Sequence, residues 1–156
     1  MTRSGESVTW GELREKVEAL AVGLHEQGVR RGDRVSLLVQ PGNDLTVILY
    51  ALLRLGAVAV VADAGLGVKG LTRAARSARP AWVIGARPGL AAARALGWPG
   101  RRISVSALSD RQSALLGTEA SVERLLRRHA GALLDQVPRP EPSDDAAILF
   151  TSGSTG

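Results

Sequence analysis

Apolar and polar positions alternate in blocks along this chain, and the blocks change period. Leu13, Val17, Leu20, Ala21 and Leu24 recur at three- and four-residue intervals, which places them on one face of a helix. Thr9-Trp-Gly-Glu12 precedes them as a capping box: the Thr9 hydroxyl reaches the Glu12 amide and the Glu12 carboxylate reaches back. Gly28 supplies a left-handed stop, and Arg31-Gly32-Asp33 reads as a turn that Asp33 orders. Val35–Val39 then reads as a buried strand. Pro41-Gly42-Asn43-Asp44 forms a turn with an Asx N-cap, and residues 45–55 form a helix that is apolar nearly all round. Gly56 ends it, and 57–62 is a second strand, apolar on both faces.

The same alternation continues more faintly. It predicts helices over 69–78, which Pro80 stops, over Leu90–Leu96 and over 119–135, the last with Val122, Leu125, Leu126, Leu133 and Leu134 on its apolar face. Short strands are predicted at Trp82–Ile84 and Ile103–Val105, and a final one at Ala146–Phe150. Residues 138–143, beginning Pro138-Arg-Pro-Glu-Pro142, form a stiff Pro-rich connector. Strands buried on both sides and separated by helices predict an α/β fold: a mostly parallel sheet with helices on both faces.

Composition narrows the function classes. The 156 residues are 45% hydrophobic and 22% charged, the balance of a globular domain. Cysteine is absent, which removes disulfides, thiolate metal sites and cysteine nucleophiles, and fits a cytoplasmic location. His25 and His129 are the only histidines, both expected at the surface, so no metal site is assigned. Residues 1–16 are polar and mixed in charge, unlike a secretory signal. Residues 45–62 are long and apolar, but Arg54 sits at their centre and Gly56 divides them, so an integral membrane helix is not expected.

Charge is uneven. The net charge is +5, yet residues 69–111 hold nine basic groups against Asp110 alone. Such a segment is a solvated arginine face, or it attracts nucleic acid, an acidic carrier protein or anionic lipid. Trp82 and Trp98 are the only aromatics within it, too few for a nucleic-acid stacking platform, and no specific nucleic-acid partner is expected. Asp144-Asp145 is read as a solvated linker pair in preference to a Mg²⁺ site.

The chemistry concentrates at the end of the last strand. Thr151-Ser-Gly-Ser-Thr-Gly156 contains only Gly, Ser and Thr. Glycines let successive amides turn toward one anion, and the hydroxyls of Thr151, Ser152, Ser154 and Thr155 add short donors. Composition alone leaves open a phosphate loop and a flexible linker. No lysine follows the pattern GxxxxGK[ST], so this is not the common P-loop. A second glycine cluster, Gly65-Leu-Gly67-Val-Lys-Gly70, matches the dinucleotide spacing GxGxxG. No Asp or Glu follows before Asp110 to hold a ribose, so an NADP half-domain would have to use Arg87; otherwise the glycines form a turn capping a helix.

Residues 148–156, ILFTSGSTG, resemble the signature of the adenylate-forming enzymes, which include acyl- and aryl-CoA synthetases, peptide-synthetase adenylation domains and luciferases. The resemblance extends over 8–62, through Trp10–Leu13 (aromatic-x-E-L), residues 28–35 (G-V-x-x-G-D-R-V), residues 51–58 (A-x-x-R-L-G-A-V) and Asn43 in the turn after the first strand. The turn Asp63-Ala-Gly-Leu-Gly67 departs from the commoner Pro-Asn-Pro type. It looks more like the long-chain acyl ligase branch that includes the β-lactone synthetases of olefin biosynthesis.

The resemblance implies ATP- and Mg²⁺-dependent activation of a carboxylic, fatty-type acid as an acyl-adenylate, then transfer to CoA or a carrier-protein thiol. It implies nucleotide contacts from Thr151, Ser152, Gly153, Ser154, Thr155 and Gly156. In the family the loop continues with one residue and then Pro-Lys-Gly, so the chain is expected to be an incomplete N-terminal part of such an enzyme, with no catalytic residue of its own and no activity alone. A non-catalytic phosphate- or partner-binding α/β domain is the alternative.

Overall fold

The computed structural model describes residues 9–150. Among the described residues six strands and six helices alternate along the chain. They are α1 (Trp10–Gln27), β1 (Arg34–Leu38), α2 (Asn43–Leu55), β2 (Val58–Ala62), α3 (Gly67–Ala78) and β3 (Trp82–Gly85). Then come α4 (Arg87–Ala95), β4 (Arg101–Ser104), α5 (Asp110–Leu116), β5 (Thr118–Ser121), α6 (Val122–Arg128) and β6 (Ala147–Phe150). The strands form one sheet in the order β5-β4-β3-β1-β2-β6, and every neighbouring pair is parallel. The α/β class and the mostly parallel sheet are as the sequence predicts.

Crossover handedness explains which helix covers which face. A right-handed β-helix-β unit that steps in one direction along the sheet puts its helix on one side, and a step in the other direction puts it on the opposite side. The steps β1 to β2 and β5 to β6 run one way, and their helices α2 and α6 share a face with α1. The steps from β2 to β3 and from β3 to β4 run the other way, carrying α3 and α4.

Alternate strand residues sort between the two layers. Val35 and Leu37, Ala57 and Ala59, and Trp82 and Ile84 join Leu20, Leu24, Ile48 and Leu52 in the larger core. Leu38 turns the other way, toward Ala75, Ala93 and Trp98, where the Trp98 indole donates to the Thr72 hydroxyl at 2.9 Å. Both tryptophans of the basic segment are thus structural, Trp82 being 2% and Trp98 6% exposed. Among the described residues no helix is long and apolar enough to cross a membrane.

Two expectations are corrected. The single helix over 119–135 is instead strand β5, helix α6 and a short 3₁₀ turn at Leu134–Gln136, and the apolar pattern does not mark α5. Gly117 adopts φ 67 and closes α5; Thr118–Ser121 then has few apolar residues because it is an edge strand that hydrogen-bonds to β4. Ser121 caps α6 by accepting from the Arg124 amide at 3.2 Å, and Leu133, expected on an apolar face, is 72% exposed. The second correction concerns His129, expected at the surface. Its side chain is only 10% exposed, because α6 crosses α1 at Gly23 and the ring fills the space that glycine leaves. Its Nε2 lies 3.3 Å from Glu26 Oε2.

Candidate functional site

In parallel α/β sheets ligands gather beyond the carboxyl ends of the strands. At that edge β2 and β6 lie side by side in register, Ala62 opposite Phe150. The backbone continues the ladder past the strands: the Asp63 amide donates to the Phe150 carbonyl at 2.8 Å. The turn after β2 is therefore held to the end of β6 at this edge. The predicted nucleotide-contacting residues Thr151, Ser152, Gly153, Ser154, Thr155 and Gly156 lie outside the described residues; what the structure supplies is the position of Phe150, to which they are joined.

The glycine turn beside this edge is locally satisfied. Asp63 Oδ1 accepts from the Gly65 amide at 2.9 Å, a 3₁₀ turn occupies Ala64–Leu66, and Gly67 starts α3 with φ 69. Gly70 lies against Leu66, where a Cβ would stand 2.8 Å from the Leu66 Cβ. Each glycine of the GxGxxG spacing thus has a role in the turn or the helix. Arg87, named for the NADP alternative, is exposed at the start of α4.

The opposite, amino edge of β1, β2 and β6 shows contacts that the sequence did not reveal. Asp33 orders its turn as expected, accepting from the Arg30 amide at 2.8 Å. Arg31 projects from this turn onto the connector: Nε donates to Asp144 Oδ1 at 2.8 Å, and Nη2 lies 2.7 Å from the same oxygen and 3.0 Å from Glu141 Oε2. Asp144 Oδ2 accepts from the Glu141 amide at 2.9 Å and closes the turn before β6. Asp144 is therefore not a solvated linker residue: its side chain is 14% exposed, while Asp145 is exposed. Hydrogen bonding to Arg31 and to the Glu141 amide holds the Asp144 carboxyl below the ordinary carboxylate range.

Arg54, at the end of α2, donates to the carbonyls of Pro138 and Val137 at 2.9 and 3.2 Å. Gly56, with φ 74, lies between these groups; a Cβ there would be 2.9 Å from Asp144 Oδ2 and 3.1 Å from Arg31 Cγ. Sequence spacing gives no sign of a contact between residues 113 positions apart.

Metal ligands are a separate question. Among the described residues no group of three or more His, Asp or Glu is placed to hold a metal ion. The donor set that suits a polyphosphate is the Gly/Ser/Thr segment itself.

A doubly wound parallel sheet whose last described strand leads into a Gly/Ser/Thr segment is the class of α/β protein in which ligands gather at the carboxyl ends of the strands. The family is more definite. The AMP-binding enzyme family matches residues 1–156, and the chain belongs to it. It is 34% identical over 150 residues to an olefin beta-lactone synthetase of Xanthomonas campestris pv. campestris, covering 96% of this chain and 26% of that protein. It is 31% identical over 169 residues to an acetyl-coenzyme A synthetase of the same organism, covering 96% of this chain and 25% of that protein.

Among solved structures, a long-chain-fatty-acid-CoA ligase from Archaeoglobus fulgidus superposes with a TM-score of 0.78 at 18% identity, over 100% of this chain and 30% of the other. An anthranilate CoA ligase in complex with anthranoyl-AMP gives 0.77 at 19% identity, over 97% and 28%. These two likenesses concern the fold. The chain spans about a quarter of the length of the curated relatives it matches.

Proposed function

We propose that the protein to which this chain contributes activates a carboxylic acid of the fatty type as an acyl-adenylate, and that residues 151–156 seat the pyrophosphate side of the nucleotide. When bound, ATP supplies an α-phosphorus that a carboxylate oxygen attacks, with Mg²⁺ offsetting charge as pyrophosphate departs; a thiol, from CoA or a carrier arm, then displaces AMP. The chain's own part is positioning and donation. Phosphoryl chemistry depends mainly on placement and charge neutralisation, and amides and hydroxyls that converge on departing oxygens serve both.

The observation that carries this reading is the junction itself. The segment TSGSTG directly follows a strand that is paired in parallel with β2, at the sheet edge where such ligands gather. The match to olefin beta-lactone synthetase favours the fatty-acid branch.

The test is ATP–pyrophosphate exchange driven by medium- and long-chain fatty acids. Exchange is expected from the protein to which this chain contributes, and none from residues 1–156 alone, which span about a quarter of the length of the curated relatives. Exchange by the 156-residue chain alone would overturn this division of labour. Coding sequence after codon 156 that reads x-Pro-Lys-Gly in no frame would weigh against the ligase reading.

A second reading concerns the carrier thiol. Lys69, Arg73 and Arg76 lie along α3 and Arg87 and Arg94 on α4, all exposed. Every ion pair among the described residues lies elsewhere. This cationic face suits an acidic partner such as an acyl carrier protein. Binding that weakens steeply between low and moderate salt, and that Arg73→Glu abolishes, supports it; salt-insensitive or absent binding removes it.

A further inference from the structure

β6 carries the loop of the proposed site, yet little about β6 itself fixes where it sits. It has four residues, one neighbouring strand among those described, and no fully buried side chain. Its pattern alternates, with Ala147 and Leu149 exposed and Ile148 and Phe150 half-buried. A slip of one residue along β2 would turn the inward pair outward, so burial opposes it. A slip of two residues preserves the facing, and the ladder with β2 can form in either register. Such a slip moves the carboxyl end of β6 by roughly 6–7 Å, more than a phosphate group's width. Something outside the strand must choose between the registers.

We propose that Arg31 is the positioning residue that makes this choice, by anchoring Asp144 three residues before the strand. The guanidinium uses Nε and Nη2 on one Asp144 oxygen, while the other oxygen closes the turn at the Glu141 amide. The carboxylate is thus fixed both to the turn that starts β1 and to the turn that starts β6. The Arg31 turn is itself held to the end of α2, through the Gly32 amide donating to the Gly56 carbonyl at 2.9 Å. Arg54 fixes the other end of the connector by its grip on the Val137 and Pro138 carbonyls. The connector is thus held at Val137 and Pro138 on one side and at Asp144 on the other, which opposes feeding or withdrawing a residue pair. Gly56 is required because any side chain there would enter the space of the Asp144 carboxylate. The Ala146 carbonyl then meets the Ala59 amide at 3.0 Å and the Phe150 carbonyl meets the Asp63 amide at 2.8 Å, the first and last contacts of the chosen register. The consequence for the loop rests on the reading proposed above; the latch itself does not.

Two amides of the β2 side report β6 directly, those of Ala59 and Asp63, and the amides of Ala81 and Arg101 report the opposite half of the sheet. Hydrogen exchange is measured on the 156-residue chain with Arg31→Met, which keeps the stem that packs near Gly56, and with Asp144→Asn, which keeps the shape of the side chain. Should Arg31→Met fail to fold, Asp144→Asn is read in the same way.

Without the latch β6 interchanges between registers, and each interchange detaches it from β2, so exchange at Ala59 and Asp63 is expected to quicken by about tenfold or more, with Ala81 and Arg101 unchanged within about twofold. Uniform quickening at all four amides, or none, overturns the positioning role. Inorganic pyrophosphate is titrated in parallel. Weaker binding by the variants extends the latch to the loop. No binding by the unaltered chain removes this chain's loop as a pyrophosphate seat, and the exchange pattern still decides the latch.

Discussion

Several residues that the family resemblance picks out prove to be structural. Gly28, with φ 120, ends α1 while its amide returns to Leu24 and His25; Asp33 closes its turn; Gly56, with φ 74, lets three loops meet. Gly56→Ala combines a left-handed backbone with a Cβ inside the Asp144 contact. It should destabilise the chain by about 1–3 kcal/mol or more in urea unfolding. A change below about 0.5 kcal/mol would show that the three loops separate at little cost.

The Asp144 carboxyl gives a pH prediction with a definite sign. Its folded pKa lies below its unfolded value, so its stabilising contribution is complete above the ordinary carboxylate pKa near 4 and is lost as pH falls below it, through the folded value. Glu119 behaves alike, because Arg101 binds it at 2.7 Å while stacking 4.2 Å over Trp82. Unfolding midpoints should fall more steeply below pH 4 in the parent chain than in the Asp144→Asn, Glu119→Gln double variant.

Among the elements, α1 and α5 show how much a cap contributes. The Thr9 hydroxyl accepts from the Glu12 amide at 3.1 Å, the first half of the predicted box. The complete box belongs to α5, where Ser109 accepts from the Gln112 amide at 3.2 Å and the Gln112 side chain accepts from the Ser109 amide at 3.1 Å. Its seven residues bury none of their side chains, so the cap contributes a large part of its stability. Ser109→Ala should cost about 0.5–2 kcal/mol and raise exchange locally in α5. The cap pattern at 109–112 and Gly117 were both present in the sequence as signals. They carry no apolar face between them to mark a helix, and the apolar spacing from Val122 to Leu134 predicts one long helix that spans part of a strand. Strand β5 has no periodicity of its own because an edge strand draws its stability from hydrogen bonds to β4 and from the Arg101–Glu119 pair.

For the whole molecule, the larger core is the main source of stability. Leu52 and Leu24 are fully buried where α1 meets α2 over β1 and β2. Leu52→Ala should therefore cost about 2–5 kcal/mol. That loss should appear at every amide of the sheet, unlike the local loss expected for Arg31→Met.

The sequence by itself determined the alternation of strands and helices up to β4, the two-sided burial of β1 and β2, and the family, because those features are written in local periodicity and in contiguous motifs. Tertiary structure alone decided which helix lies on which face, that Trp82 and Trp98 are core residues, that the His129 ring packs over Gly23, and that Arg31 and Arg54 secure the connector before β6. Each of these depends on segments far apart in the chain. A guanidinium and a carboxylate 113 positions apart carry no mark of each other until the sheet brings their turns together.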